Sequence, residues 1–144
     1  HSAGGVPGFR VAASTRDAGA NRDRIQFIKG WLDANGETQE QFYEVARSDG
    51  SSANWLGKSA TVGDTVDIAS ASYSNSIGDP ELTAVWTDPD FDPEQRAFYY
   101  ARVIQIPTPR WTAYDRKYFG AVIDPRAPDI IQDRAYSSPI WYTP

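Results

Sequence analysis

The most suggestive group of carboxylates in the sequence lies in residues 88–94, which read DPDFDPE. Asp88, Asp90 and Asp92 occupy alternate positions there, and carboxylate oxygens suit a hard cation such as Ca²⁺. The pattern departs from the calcium loop of helical sensor proteins, which needs a mid-loop glycine and a later bidentate glutamate. We favour a polar turn, in which each aspartate accepts a hydrogen bond from a nearby backbone N–H group. Calcium is the alternative for this turn, and we expect no other metal or cofactor in the chain.

The residue types that many enzymes use for catalysis are missing from this sequence. There is no cysteine, which excludes thiolate nucleophiles and cysteine zinc sites, and the only histidine is His1. The serines therefore lack the imidazole that usually activates a hydroxyl nucleophile. Neither a glycine-rich phosphate loop nor a GxSxG nucleophile turn is present. We therefore expect no catalytic residue in this chain.

The five tryptophans are the next candidates for function, because flat amphipathic rings pack well on sugars and on other proteins. Trp86 and Trp141 lie in predicted strands, where a tryptophan is more often part of the core. Trp55 and Trp111 lie in predicted loops. These two loop residues are therefore the better candidates for a contact surface.

A proline-rich segment, residues 107–133, contains the strongest candidate for such a surface. Arg110 precedes Trp111 directly and Tyr114 follows shortly after, and these residue types are enriched at the energetic centres of protein interfaces. A connection of this length seldom persists without a packing partner. We predict that the segment faces another domain, with Arg110 and Trp111 near the contact. The alternative is that it folds back over one end of the domain and buries its aromatic residues.

Length and charge narrow the class of protein. The chain has 144 residues with 14 basic and 19 acidic side chains, and its net charge is −5. This length suits one domain, and the negative charge argues against a nucleic-acid partner. No apolar run is long enough to span a membrane. The first residue is His1 rather than a methionine, so we interpret the chain as a piece of a longer protein.

The elements that would position these residues are short strands. Aromatic and β-branched runs alternate with turn residues, including 11 glycines and 10 prolines, which leaves little room for helices. We predict an all-β fold: an antiparallel β-sandwich, immunoglobulin-like, of about 7 strands with a long insertion before the last strand. Residues 1–8 should be a flexible segment and residues 9–144 a single domain. The predicted strands cover residues 9–13, 24–32, 39–47, 65–68, 82–87, 96–106 and 138–143.

Several positions within these strands carry more specific expectations. The Asn-Gly pair at residues 35–36 predicts a hairpin turn between the second and third strands. Gly30 interrupts the alternation of the second strand and predicts a bulge or a bend. Residues 96–106 are apolar on both faces, which favours a central position in the sheet. Tyr99 or Tyr100 is similar to the tyrosine corner of immunoglobulin-like sandwiches.

Three stretches of the chain resemble a known family. They are RIQFIKGWLDANGETQEQFYEVARSD, ELTAVWTDPDFDPEQRAFYYARVIQIPTPRW and RAYSSPIWYTP. Together they are similar to the carboxy-terminal region of a large bacterial family of unknown function, the domain of unknown function 3604 family. The resemblance runs from about residue 9 to residue 144. The amino-terminal part of that family is similar to PHP-type (polymerase and histidinol phosphatase) metal-dependent phosphoesterases, whose His and Asp metal ligands have no counterpart here.

The resemblance therefore implies a non-catalytic, closing β-domain that packs on a metal-dependent hydrolase domain of the same protein. The alternative is an independent module that binds a glycan or a protein through loop aromatics. A glycosidase with paired carboxylates is a third and more distant hypothesis. An exposed apolar patch would favour the first hypothesis. A row of solvent-facing aromatic residues on a sheet face would favour the second.

Overall fold

The computed structural model describes residues 5–15, 19–50 and 61–144. Nine strands and one helix occur in these ranges. In chain order they are β1 (Gly8–Ser14), β2 (Arg22–Leu32), β3 (Thr38–Arg47), β4 (Glu81–Thr87), β5 (Ala97–Gln105), β6 (Thr108–Pro109), α1 (Trp111–Phe119), β7 (Ile130–Ile131), β8 (Arg134–Tyr136) and β9 (Ile140–Tyr142). No helix in this part of the chain has the length and apolar character that crossing a membrane requires.

The strands form a large sheet, a small sheet and a short separate pair, and all their pairings are antiparallel. The large sheet has the order β3-β2-β5, and both β8 and β9 pair with the far edge of β5. The small sheet consists of β1 and β4, and β6 pairs with β7. The predicted all-β antiparallel sandwich is therefore confirmed, as is the central position of the strand at residues 96–106.

The core lies between the small sheet and one face of the large sheet. Alternate residues of a strand point to the same face, so Phe27, Tyr43 and Tyr99 from three neighbouring strands meet there. Phe9 from the small sheet is buried against them, and Trp86 packs on this cluster with its ring 5.1 Å from that of Phe27. The expectation that Trp86 belongs to the core is confirmed.

The hairpin of β2 and β3 forms where the Asn-Gly pair predicted it. Gly36 has φ of 80°, the left-handed conformation that such a turn requires. The Asp33 carboxylate accepts hydrogen bonds from the backbone N–H groups of Asn35 and Glu37, at 2.9 and 3.0 Å. The turn is therefore fixed by its own side chains as well as by the strands.

One expectation about regular structure is wrong. Residues 65–68 form no strand, because the Asp67 carboxylate accepts the N–H groups of Ala69 and Ser70 and so stabilises a turn. The expected scarcity of helices agrees with the structure, in which the described residues contain one short helix, α1, within the proline-rich segment. No glycine or proline occurs within its nine residues, and Gly120 ends it with φ of 62°.

Two single residues also differ from expectation. Gly30 sits in regular strand pairing, and the register shifts of β2 fall instead between Ile25 and Gln26 and between Arg22 and Arg24. Gly30 is needed because the Phe98 ring of the neighbouring strand occupies the place of a β-carbon. A side chain at this position would collide with that ring.

Tyr99 does not form a tyrosine corner. In that motif the hydroxyl bonds to backbone, whereas the Tyr99 hydroxyl donates to the Asp88 carboxylate at 2.8 Å. The final strand predicted at residues 138–143 is confirmed as β9. Trp141 on that strand was expected in the core, but 71% of it is exposed. It lies on the face of the sheet that no other layer covers within the described residues.

Candidate functional site

The helix α1 is held firmly against the rest of the domain. Proline and an extended Arg110 precede it, and the backbone N–H of Arg110 donates to the carbonyl of Asp129 at 2.8 Å. Thr112, which is fully buried, donates its hydroxyl to the carbonyl of Pro128 at 2.8 Å. Arg116 forms an ion pair with the Asp129 carboxylate at 2.7 Å. The inner side of the helix is therefore fixed at both of its ends.

The outer side of the same helix is aromatic. Trp111, Tyr114 and Tyr118 are spaced by three and four residues, so they lie on one face of the helix. Trp111 is 56% exposed, Tyr118 63%, and the neighbouring Phe119 80%. We call these four residues the helix surface. Large aromatic side chains that are exposed together mark an interaction site far more often than single exposed residues do.

Two positively charged side chains lie against aromatic rings of the helix surface. The Arg110 guanidinium lies 5.8 Å from the centre of the Trp111 ring, and the Lys117 ammonium lies 4.7 Å from that of Tyr118. Lys117 also donates to the carbonyl of Ser70 at 2.6 Å, which ties the helix to a distant turn. Both contacts are cation–π pairs of the kind that rigidify exposed rings.

The structure thus brings together three of the four predicted binding residues, Arg110, Trp111 and Tyr114. The fourth, Trp55, lies outside the described residues. The proline-rich segment does fold back on the domain, as the alternative expectation held, but its aromatic rings stay exposed. Its role as an interface stays a prediction.

The acidic turn after β4 surrounds a buried lysine. The Asp88 side chain is fully buried and accepts from the Lys29 ammonium at 2.7 Å and from the Tyr99 hydroxyl at 2.8 Å. Lys29 also donates to the carbonyl of Asp90 at 2.7 Å, and the Tyr43 hydroxyl donates to the Asp90 carboxylate at 2.9 Å. Burial raises the pKa of both tyrosines, and their carboxylate partners raise it further. Both hydroxyls therefore stay protonated donors.

The remaining contacts of this turn match a polar turn. The Asp88 carboxylate accepts the backbone N–H of Asp90 at 2.9 Å, and that of Asp92 accepts the N–H of Glu94 at 2.8 Å. Among the described residues no group of three or more acidic, histidine or cysteine side chains could hold a metal ion. Calcium binding by Asp88, Asp90 and Asp92 stays the untested alternative, and the Lys29 ammonium lies beside the Asp88 carboxylate.

A second aromatic surface lies on the outer face of the large sheet, the face turned away from β1 and β4. The rings of Trp141, Phe98, Tyr100 and Tyr136 follow one another there, with centres 5.2, 6.4 and 6.2 Å apart. We call these four residues the aromatic sheet face. The sequence carried a signal for it, since residues 96–106 are apolar on both faces. That pattern was interpreted as burial on both faces, whereas one face is open.

A row of paired residues crosses the sheet at the Trp141 end of this surface. Glu40 pairs with Gly30, Gly30 with Phe98, and Phe98 with Trp141, so the four residues lie side by side on the same face. A cleft of about 500 Å³ lies over this row, with Arg96 and Leu32 among its other lining residues. An aromatic floor with a few charged groups at its rim is typical of ligand sites.

Comparisons with known proteins give one match. The model of a protein family described as "Protein of unknown function (DUF3604)" matches residues 1–144. No curated protein and no solved structure matches the chain. Since the family model spans the entire sequence, the chain belongs to the DUF3604 family of proteins of unknown function.

Proposed function

We propose that this chain is a non-catalytic β-sandwich domain that docks, through the helix surface, on a PHP-like metal-dependent hydrolase domain of the same polypeptide. The observation that carries the proposal is the exposure of Trp111, Tyr118 and Phe119 on a helix whose opposite side is fixed to the sandwich. The identity of the partner domain comes from the resemblance of residues 9–144 to the carboxy-terminal region of the family.

The helix surface has the properties of a protein-binding site. Its rings lose little conformational freedom on binding, because α1 is already held by Thr112 and Arg116. Trp, Tyr and Arg are the residue types that contribute most to binding energy at interfaces. The surface is also convex, since it is the outside of a helix. A convex surface fits a groove on another folded domain better than it encloses a small ligand.

We infer that this chain has no catalytic role because the buried polar groups around Asp88 are already engaged in ion pairs and hydrogen bonds with one another. Asp88, the most buried carboxylate of the acidic turn, is bound to Lys29 and Tyr99. Both tyrosine hydroxyls in this network stay protonated because burial raises their pKa. The sequence supplies no thiol and no internal imidazole in their place. We expect the isolated chain to show no metal-dependent phosphatase or esterase turnover, and turnover that a chelator abolishes would contradict this.

Docking can be tested in a polypeptide that carries this domain together with the hydrolase-like domain. Trp111→Ser combined with Phe119→Ser should lower the melting temperature or the activity of the hydrolase-like domain, because the contact would lose two large apolar side chains. The same double variant of the isolated chain should unfold within about 0.5 kcal/mol of the wild type, since both residues are exposed there.

The matched control is Trp141→Ser, which removes from the aromatic sheet face a tryptophan that is 71% exposed. It should leave the hydrolase-like domain unchanged. If the double variant alters neither the melting temperature nor the activity of that domain, the docking role of the helix surface is wrong. If it instead unfolds the isolated chain, the helix surface serves the sandwich itself.

A further inference from the structure

We propose that the aromatic sheet face binds a glycan chain, with the rings of Trp141, Phe98, Tyr100 and Tyr136 stacking on successive sugar units. This site is separate from the helix surface and does not depend on the docking role. The inference rests on three features of the sheet: the shape of the platform, the polar groups beside it, and the cleft at its end.

Gly30 makes room for the Phe98 ring at the middle of the platform. The Phe98 ring leans across the sheet and lies over the Gly30 backbone, in the space that a β-carbon would fill. The Tyr100 ring is tilted by only 9° relative to Phe98, at a centre distance of 6.4 Å. Ile28, which pairs with Tyr100, is fully buried on the same face. These two neighbouring rings therefore lie nearly parallel above a filled layer of the sheet. Trp141 and Tyr136 extend the row in both directions, with ring planes tilted by 47° and 45° to those of Phe98 and Tyr100.

Polar groups that have no partner in the described part of the chain lie beside these rings. The Glu40 carboxylate and the Arg96 guanidinium make no hydrogen bond or ion pair with the described residues, and both side chains line the cleft next to Trp141. The hydroxyls of Tyr100 and Tyr136 likewise have no hydrogen-bond partner among the described residues. A carboxylate accepts bonds from hydroxyl groups and a guanidinium donates to them, so the four groups can bond to hydroxyls placed along the row.

A glycan chain fits this combination of ring faces and neighbouring polar groups better than a protein or a nucleic acid does. A pyranose ring presents an apolar face of C–H groups and a rim of hydroxyls, which suits ring faces flanked by unpaired polar groups. The core of a protein interface is depleted of charged residues, whereas here Glu40 lies in the same row as Phe98 and Arg96 lines the same cleft. A nucleic acid is disfavoured by the net charge of −5 and by Glu40.

The test is native gel electrophoresis of the whole 144-residue chain with a soluble polysaccharide cast in the gel. The probes are hydroxyethyl cellulose, xylan, galactomannan, laminarin and alginate. We expect at least one of them to retard the chain. Trp141→Ala should weaken that retention at least about tenfold, because tryptophan is among the residue types that contribute most to binding energy. Glu40→Gln should weaken it less, since the amide keeps one acceptor.

The matched control is Trp111→Ala, which removes an exposed tryptophan from the helix surface and should be retarded like the wild type. Circular dichroism of all variants checks that they are folded. Failure of all five polysaccharides to retard the wild type overturns the proposal, as does retention that Trp141→Ala leaves intact. Binding of a decaproline peptide, or a dimer in light scattering, that Trp141→Ala abolishes would also overturn it, in favour of a peptide or a second copy.

Discussion

At the scale of single residues, the pair of Lys29 and Asp88 is the most constrained feature of the domain. Both side chains are buried, and the ammonium reaches the carboxylate at 2.7 Å and the Asp90 carbonyl at 2.7 Å. A buried pair gains little over apolar residues, because both charges lose their hydration. Removal of one partner is costly, because the other charge is left buried and unpaired.

Lys29→Met should therefore destabilise the domain by about 3–5 kcal/mol, since Asp88 would lose its counter-ion. Tyr99→Phe is the milder comparison. It removes one hydrogen bond to the same carboxylate and should cost about 1–3 kcal/mol. Urea unfolding followed by tryptophan fluorescence measures both values. A Lys29→Met variant as stable as Tyr99→Phe would show that Asp88 does not depend on the ammonium.

The turn residue Asp33 gives the domain a pH dependence of predictable sign. Its pKa is lowered, first by the hydrogen bond from the Glu37 backbone N–H and then by those from Asn35 and Gln39. A carboxyl whose pKa is lower in the folded state stabilises the protein above its unfolded pKa of 3.8. That stabilisation is lost as the pH falls through the lower, folded pKa.

Asp33→Asn removes the titrating group and keeps one acceptor oxygen for the turn. Between about pH 6 and about pH 2.5 the free energy of unfolding of the wild type should fall more steeply than that of the variant. Denaturant unfolding at both pH values measures the difference. Equal slopes would mean that the hydrogen bonds of this turn do not favour the charged carboxylate.

At the scale of elements, β2 and β5 fit together because the Phe98 ring of β5 packs over Gly30 of β2. The glycine is not needed for its backbone freedom, since the strand is regular at this position. It is needed because the Phe98 ring fills the place of its side chain. The position of the Phe98 ring within the aromatic sheet face therefore depends on a residue that contributes no side chain to that face.

Gly30→Ala should destabilise the domain by about 1–3 kcal/mol, because the new methyl group displaces the Phe98 ring. In a Phe98→Ala background the same substitution should cost much less, since the clash is gone. A double-mutant cycle on unfolding free energies measures this coupling. Additive effects of the two substitutions would contradict the close contact.

Sequence patterns predict some of these elements well. The predicted strands at residues 24–32, 39–47 and 96–106 coincide with β2, β3 and β5, because aromatic and β-branched runs between turn residues favour strands. The Asn-Gly pair marks the hairpin, because few residues tolerate the positive φ that Gly36 adopts. Trp86 was placed in the core because it lies on a predicted strand.

Other features could not be predicted from local patterns in the sequence. Trp141 sits on a strand and is apolar, and nothing near it in the sequence tells whether another layer covers its face of the sheet. The network of Lys29 with Asp88 joins positions 59 residues apart, so neither neighbourhood indicates it. The helix α1 is short and its exposed face is the aromatic one, which reverses the usual amphipathic pattern.

At the scale of the whole molecule, the domain presents two aromatic surfaces of different shape. The helix surface is convex and firmly backed, which suits docking on another folded domain. The aromatic sheet face is an open row of rings, beside a cleft and polar groups that have no partner among the described residues, which suits a ligand with both apolar and hydroxyl surfaces. Trp111 belongs only to the helix surface and Trp141 only to the aromatic sheet face. A substitution of either tryptophan therefore serves as the control for a substitution of the other.

Amide hydrogen exchange of α1 is the most direct test of the docking role. The exchange rates of residues 111–119 are compared between the isolated chain and the polypeptide that also carries the hydrolase-like domain, with the turn at residues 33–37 as internal reference. Docking should slow exchange in α1 by at least about tenfold in the longer polypeptide, because opening of the helix would then also require loss of the interface. The Trp111→Ser variant should return the rates to those of the isolated chain. Identical rates for α1 in the two polypeptides would contradict the proposal that the helix surface is an interface between domains.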